Sequence, residues 1–294
     1  MNPKPGDSEL SVSISEPTIE VVLPVPEALH DPLVIQLDAL GFEAFWEEPD
    51  HLKAYMPASQ WRAAVREAVR DLLRRQGLPD EIEVRTIEPE NWNARWESQL
   101  QPIAVGPFLI KPSWHAVPEA YATHIVLEID PKMSFGTGYH ESTRLLLQML
   151  PDCVEPGARV LDAGTGTGIL TIAALKLGAG SAIAFDIDPW AAENAQENFA
   201  RNGVADRVEF RQGSIEVVPE RDFDLILANI HRRVLCELLP AFREKVRPTG
   251  YVLLSGLLRE ERELMLEAAA AHDLEPIHEA TENAWWAVML KRTV

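Results

Sequence analysis

The stretch RVLDAGTGTGILTIAALKLG, residues 159–178, places glycines at 164, 166 and 168 between a strand-like run and a helix-like run. A strand that turns through closely spaced glycines into a helix belongs at the carboxyl edge of a parallel sheet, where bare backbone can approach a ligand. The chain beyond residue 159 agrees. RVLDAG, SAIAFD, RVEFRQ, FDLILAN and YVLLSG read as strands, with helices expected from near Ile169, Pro189, Ile230 and Arg259. Such alternation with short connections calls for a parallel sheet covered by helices. The ending differs: LEPIHEATENAWWAVMLKR holds two strand-like runs parted only by a turn near Glu282 and Asn283. No helical crossover fits there, so one of the last two strands is expected to run antiparallel. The fold class is α/β, with a seven-stranded sheet.

The glycine spacing narrows the cofactor. A dinucleotide loop needs G-x-G-x-x-G or G-x-G-x-x-A, with a pyrophosphate at the helix N-terminus. Counting from Gly164, the third small residue is replaced by Ile169, and Asp162 sits where its charge would oppose a pyrophosphate. D-x-G-x-G-x-G suits a cofactor with a cationic or zwitterionic end and no phosphate. S-adenosyl-L-methionine fits that description. At the end of the next strand, FDIDPW places Asp186 for a bidentate bond to ribose hydroxyls. Asp188, just before Pro189, reads as an N-cap with proline at the first helical position.

LILANI ends the fourth strand at Asn229, followed by Ile230 and His231. Methyltransferases acting on adenine amines carry Pro-Pro-aromatic after such a residue, which stacks on the base. Here the amine acceptor is present and the stacking platform is absent, which favours an aliphatic amine. Alternatively, Asn229 is merely the N-cap of the helix IHRRVLCELLPAF. No convincing general base is seen, and His231 reads as a partly exposed histidine at a helix start. A second glycine loop, DPKMSFGTGYHESTRLLL, precedes the sheet. It reads either as a lid over the methionine end of the cofactor, with Phe135 near and Thr143 donating a hydroxyl, or as an ordinary loop capped by Ser142 or Thr143.

The first 17 residues read as a disordered lead-in without an apolar h-region, so a signal peptide is not expected. Residues 18–88 run strand, helix, strand, strand, helix, strand, the order of a small ferredoxin-like α+β module. Its second helix, SQWRAAVREAVRDLLRRQG, has Ser59 as a candidate N-cap and Gly77 just past its end. Residues 89–102 form a linker in which Trp92 and Trp96 share a helical face, as packing anchors at a domain junction. Residues 103–294 form the larger domain, with strand-like IAVGPFLIKPSW and THIVLEID leading into it.

Lys and Arg total 27 against 46 Asp and Glu, a net charge of −19. A field of that sign repels phosphate backbones, counts against a direct reader of nucleic acid and favours a basic partner. Acidity for solubility alone is the competing explanation. Cys153 and Cys236 are the only cysteines, which fits a reducing cytoplasm. No apolar run approaches a membrane span and no histidine spacing indicates a metal site.

Together, FGTGYHEST, VLDAGTGTGILTIAALKLGA, FDIDPWAAENAQENFARNG, LILANI and LLSGLL resemble PrmA-type protein methyltransferases, which modify large-subunit ribosomal protein eleven. NWNARWESQLQPIAVG leading to IKPSW is similar to the family's approach to its catalytic domain, so the resemblance covers nearly everything from about residue 18. It implies adenosylmethionine contacts at Thr143, Gly164, Asp186 and Asn229, and a small N-terminal domain that holds the basic protein substrate. Gly166 of the first glycine loop is a further expected contact, and a cytoplasmic monomer is expected. Two departures are visible: Ser142-Thr143 stands where the family usually has two threonines, and Thr165 where cysteine is common. The expected activity is methylation of lysine side chains or an N-terminal amine. Three alternatives are a lysine methyltransferase of another protein, a nucleic-acid N-methyltransferase, and a nicotinamide-dependent dehydrogenase. A fourth is a catalytically silent binding module.

Overall fold

The computed structural model describes residues 16–88, 97, 99–132 and 134–293. The chain divides into two compact units, Met1–Trp92 and Asn93–Val294. Residues 1–15 of the expected lead-in, and both tryptophans of the expected linker, lie outside the described residues.

The smaller unit runs β1 (Thr18–Leu23), α1 (His30–Asp38), β2 (Ala44–Glu48), β3 (His51–Pro57), α2 (Ala63–Arg75) and β4 (Glu83–Ile87). Its sheet has the order β2-β3-β1-β4 with every pair antiparallel, the ferredoxin-like arrangement. Alternation along β3 buries Leu52, Ala54 and Met56 in one core with Leu33 and Leu37 of α1 and Val69 and Leu73 of α2. Ser59 does not cap α2. It lies in a 3-10 turn and its hydroxyl donates to Glu16, while the helix starts at Ala63 with no side-chain cap. Trp61, extended and edge-on to Phe42 at 6.4 Å, delays the helix start.

The larger unit begins with β5 (Ile103–Val105), β6 (Phe108–Lys111) and β7 (Ile125–Glu128). The run read as one strand is a hairpin turned at Gly106 and Pro107, and the three strands form their own small sheet. Then follow α3 (Glu141–Met149), β8 (Arg159–Ala163), α4 (Ile169–Leu177), β9 (Ser181–Asp186) and α5 (Pro189–Arg201). The chain continues through β10 (Val208–Gln212), β11 (Phe223–Asn229), α6 (Arg232–Lys245) and β12 (Val246–Leu258). It ends with α7 (Arg262–Ala270), β13 (Leu274–Glu282) and β14 (Trp285–Arg292).

The main sheet has the order β10-β9-β8-β11-β12-β14-β13. Pairs from β10 to β12 are parallel, and β14 runs antiparallel to both its neighbours. The terminal hairpin expected from the sequence therefore supplies the reversed strand. Successive side chains of β8 serve opposite faces: Val160 packs with Leu146, Ile172 and Phe199, and Leu161 with Leu235, Leu239 and Met265. Chain order reverses between β8 and β11. A crevice forms at the carboxyl ends of strands where this happens. Both the 164–168 loop and Asn229 lie at that point.

Candidate active site

The first glycine loop is built by hydrogen bonds to the neighbouring strand. Gly164 and Thr165 donate their amides to the Phe185 carbonyl at 2.9 and 3.1 Å. Gly166 donates its amide to Asp186 Oδ2 at 2.9 Å, and Asp188 donates to Asp186 Oδ1 at 3.0 Å. Asp186 thus braces the loop, and each of its oxygens keeps acceptor capacity for a diol. Asp188 has the capping role read from the sequence: its carboxylate accepts from the Trp190 amide at 2.9 Å, with Pro189 opening α5.

These two aspartates give a direct comparison. Asp186→Ala is expected to weaken adenosylmethionine binding by about 2–3 kcal/mol, as for loss of a charge-assisted hydrogen bond. Asp188→Ala should cost about 1 kcal/mol of stability through the lost cap and leave affinity near wild type. Calorimetry on both variants decides it, and equal losses of affinity would contradict the assignment.

Asp162, at the end of β8, is completely buried. Its Oδ2 accepts from the hydroxyls of Thr165 and Thr171, both at 2.7 Å, whereas Oδ1 is buried without a partner. Burial pushes its pKa up to about 6, against the lowering effect of the two threonine hydroxyls. A group raised in the folded state above its ordinary value of about 3.9 stabilises the fold while protonated, below about pH 4. That stability is lost as pH climbs towards 6. A cation bound beside it reverses the preference, so cationic-ligand affinity should strengthen up to about tenfold from pH 5 to pH 7. Asp162→Asn should flatten that dependence in a pH series of calorimetric titrations. An unchanged slope would remove Asp162 from the site.

The second glycine loop lies directly on the first. Thr167 donates its amide to the Phe135 carbonyl at 2.9 Å and its hydroxyl to the Gly136 carbonyl at 2.5 Å. Phe135, Gly136, Thr143, Gly164, Thr165, Ile169, Leu170 and Asn229 line a cleft of about 10 Å³ where the loops meet. That is about the room of one water.

Neither Ser142 nor Thr143 caps α3. His140 does, its Nδ1 accepting from the Ser142 amide at 3.2 Å. The buried Thr143 is thereby free to face Asn229, whose Nδ2 donates to Thr143 Oγ1 at 3.1 Å. Asn229 Oδ1 is buried without a partner. Nor is Asn229 a helix cap, because α6 starts at Arg232 behind an exposed His231. Thr143, Gly164 and Asn229 therefore share one cleft, and Gly166 and Asp186 are joined by a hydrogen bond in the adjacent loop.

Two rings that the sequence reading did not single out, His140 and Trp285, extend from Phe135, which lines the cleft. The Phe135 and His140 rings are 5.4 Å apart, and His140 and Trp285 4.4 Å, both edge-on. Trp285 opens β14, and the terminal hairpin is fixed to α3 by Arg144, which donates to Glu282 at 2.5 and 3.0 Å. A larger groove of about 500 Å³ lies elsewhere, lined by Arg259, Arg262, Glu279 and Trp286 among others. Its Arg262 and Glu279 are paired by two hydrogen bonds of 2.6 and 2.7 Å. Among the described residues no group of three or more His, Cys, Asp and Glu side chains is placed to hold a metal. Nor is any helix among them long and apolar enough to cross a membrane.

A seven-stranded sheet with one reversed strand, carrying an acidic glycine loop at its carboxyl-edge crevice, is the adenosylmethionine-dependent methyltransferase fold. Residues 27–293 match the family model described as ribosomal protein L11 methyltransferase (PrmA). The chain belongs to that family. It is 37% identical to the ribosomal protein L11 methyltransferase of Chlorobaculum parvum over 278 residues, 93% of this chain and 96% of the relative. It is 38% identical to that of Thermus thermophilus over 260 residues, 88% and 93% of the two chains. A crystal structure of ribosomal protein L11 methylase from Lactobacillus delbrueckii subsp. bulgaricus, 29% identical, superposes with a TM-score of 0.61. It covers 66% of this chain and 100% of its own.

Proposed function

We propose that this chain transfers methyl groups from S-adenosylmethionine to amines of ribosomal protein L11, lysine side chains or the N-terminal amine. The observation that carries the proposal is a pair of buried acceptor oxygens without partners, Asp162 Oδ1 and Asn229 Oδ1, on adjacent strand ends at one crevice. Unpartnered buried acceptors are costly, and ligands rich in N–H groups satisfy them. Adenosylmethionine has an ammonium for a carboxylate such as Asp162 and a ribose diol for Asp186. The reacting amine would suit Asn229. Bound there, the cofactor supplies an electrophilic methyl group on a sulfonium.

The chain's own residues then have three tasks. Asn229 Oδ1 accepts an N–H of the incoming amine and directs its lone pair. The bond from Asn229 Nδ2 to Thr143 fixes the amide that does so. Only a neutral amine is nucleophilic, and a free lysine of pKa about 10.4 pays roughly 4–5 kcal/mol to lose its proton at pH 7. Desolvation beside Phe135, His140 and Trp285 lowers that cost by disfavouring the ammonium form. The lysine stem packs against the same rings. No side chain is required as a base, because the proton can leave to solvent before the amine is enclosed. The smaller unit, which contains none of these residues, is assigned to holding the protein substrate.

Incubating the chain with methyl-labelled adenosylmethionine and purified L11, then locating the label by peptide mass spectrometry, tests the proposal. Label on amines is the expected result. An unmodified L11, with an enzyme shown to bind the cofactor, would overturn it.

A further inference from the structure

Asn194 and Asn198 of α5 and Asn202, its C-cap, recur every fourth residue and form a stripe along one side of the helix. Asn202, the C-cap residue, also donates its Nδ2 to the Asn198 carbonyl at 2.8 Å, and all three reach segments outside the helix. Asn194 Nδ2 donates to the Pro131 carbonyl at 2.5 Å. Asn202 Oδ1 accepts from the Glu128 amide at 3.0 Å, and its Nδ2 donates to the Glu128 carbonyl at 2.7 Å. Asn198, 0% exposed, sits between them and holds two separate segments. Its Oδ1 accepts from the Asp130 amide at 3.1 Å, and its Nδ2 donates to the Thr167 carbonyl at 2.9 Å. The same nitrogen lies 3.0 Å from Asn194 Oδ1 and 3.3 Å from the Asp130 carbonyl.

Thr167 is the other half of the device. Its carbonyl is held by Asn198, its amide by the Phe135 carbonyl and its hydroxyl by the Gly136 carbonyl. All its polar groups join the first glycine loop either to the second loop or to the asparagine stripe. Asp130, which opens the stretch carrying the second loop, is held by the same Asn198. Both ends of the loop-to-loop contact are thus referred to one buried amide.

We infer that Asn198 and Thr167 form a relay that sets the second glycine loop against the first, making both of them positioning residues for the cofactor cleft. Neither lines the cleft itself. The relay rests on the proposed cofactor reading for its purpose, though not for its geometry.

Asn202 supplies the control, because it makes comparable bonds one helical turn away and reaches neither glycine loop. In the free protein, Asn198→Ala should speed hydrogen exchange of the Thr167 amide at least tenfold and raise the adenosylmethionine Kd about tenfold. Asn202→Ala should lower Tm to a similar degree and move neither quantity. Thr167→Val, which keeps shape but loses the hydroxyl, should act in the same direction as Asn198→Ala, and Thr167→Ser should restore wild-type values. Thr167→Val and Thr167→Ser decide the matter if Asn198→Ala does not fold. The relay is overturned if Asn202→Ala weakens binding as much as Asn198→Ala, or if Thr167→Val leaves exchange and Kd unchanged. A wild-type chain that binds no adenosylmethionine would instead remove the cofactor reading, and the exchange comparison would still judge the relay.

Discussion

Gly166→Ala is expected to push adenosylmethionine binding below calorimetric detection, a loss of more than a hundredfold, in a protein that still folds. Gly166 has φ of +53°, and a Cβ there would lie 2.3 Å from the Phe135 carbonyl oxygen and 3.1 Å from its carbon. That obstacle is backbone, so it cannot rotate aside as a side-chain tip would. The second glycine loop must move as a piece. Its movement breaks the Thr167 amide bond to Phe135 and displaces Gly166, whose own amide braces Asp186. Gly157→Ala is the matched control, with φ of +79° and nothing within 4 Å of the added carbon. It should cost only the left-handed strain of about 1–2 kcal/mol and leave affinity intact. Calorimetry together with thermal melts separates the outcomes. Equal affinities for the two variants would mean that the loops need not touch to hold the cofactor.

The second large effect concerns the smaller unit. Removing it should leave cofactor binding within about threefold of wild type and lower kcat/KM on intact L11 by roughly a thousandfold. Tethered second contacts of this kind contribute about 10² to 10⁴ through effective concentration. The larger unit carries its own two-sided core and all five candidate cofactor contacts. The cut belongs at Asn93, the first residue of that unit, not at Pro102. The Gln101 carbonyl accepts the Tyr139 hydroxyl next to the second glycine loop, so cutting at 102 would remove part of the loop's support. Circular dichroism should confirm folding before rates are compared. Full activity of the fragment on intact L11 would make the smaller unit a bystander. Loss of cofactor binding in a folded fragment would make it part of the cofactor site.

Local chemistry explains what was legible in the sequence. The glycine loop, the strand–helix alternation, the closing hairpin and the Asp188-Pro189 cap each depend on residues a few positions apart. The ends of strands β8 and β11 bring Gly164 and Asn229 to one cleft, and the end of β9 places Asp186 on the adjacent loop through Gly166. What escaped notice depends on distant partners. His140 as the cap of α3 follows from no strong capping preference of histidine. Trp285 meets His140 on a hairpin that Arg144 fixes through Glu282, 138 residues away. The asparagine stripe had a visible signal, its four-residue spacing in ENAQENFARN, yet the backbone groups it holds outside the helix lie 31 to 74 residues upstream. Ser59 failed for the opposite reason. A good capping residue was present, and the packing of Trp61 placed the helix start elsewhere.

The most direct test of amine methylation is a competition. Equal concentrations of purified L11 and protein-free large-subunit RNA are incubated with the enzyme and methyl-labelled adenosylmethionine. The protein is then analysed by peptide mass spectrometry and the RNA by nucleoside digestion. Methyl groups should appear only on L11 amines, at a rate that rises with pH as the amine loses its proton. Asn229→Ala should reduce that rate about a hundredfold, the scale of a misplaced reacting group. Label in the nucleosides, or unchanged transfer to L11 by Asn229→Ala, would contradict the account.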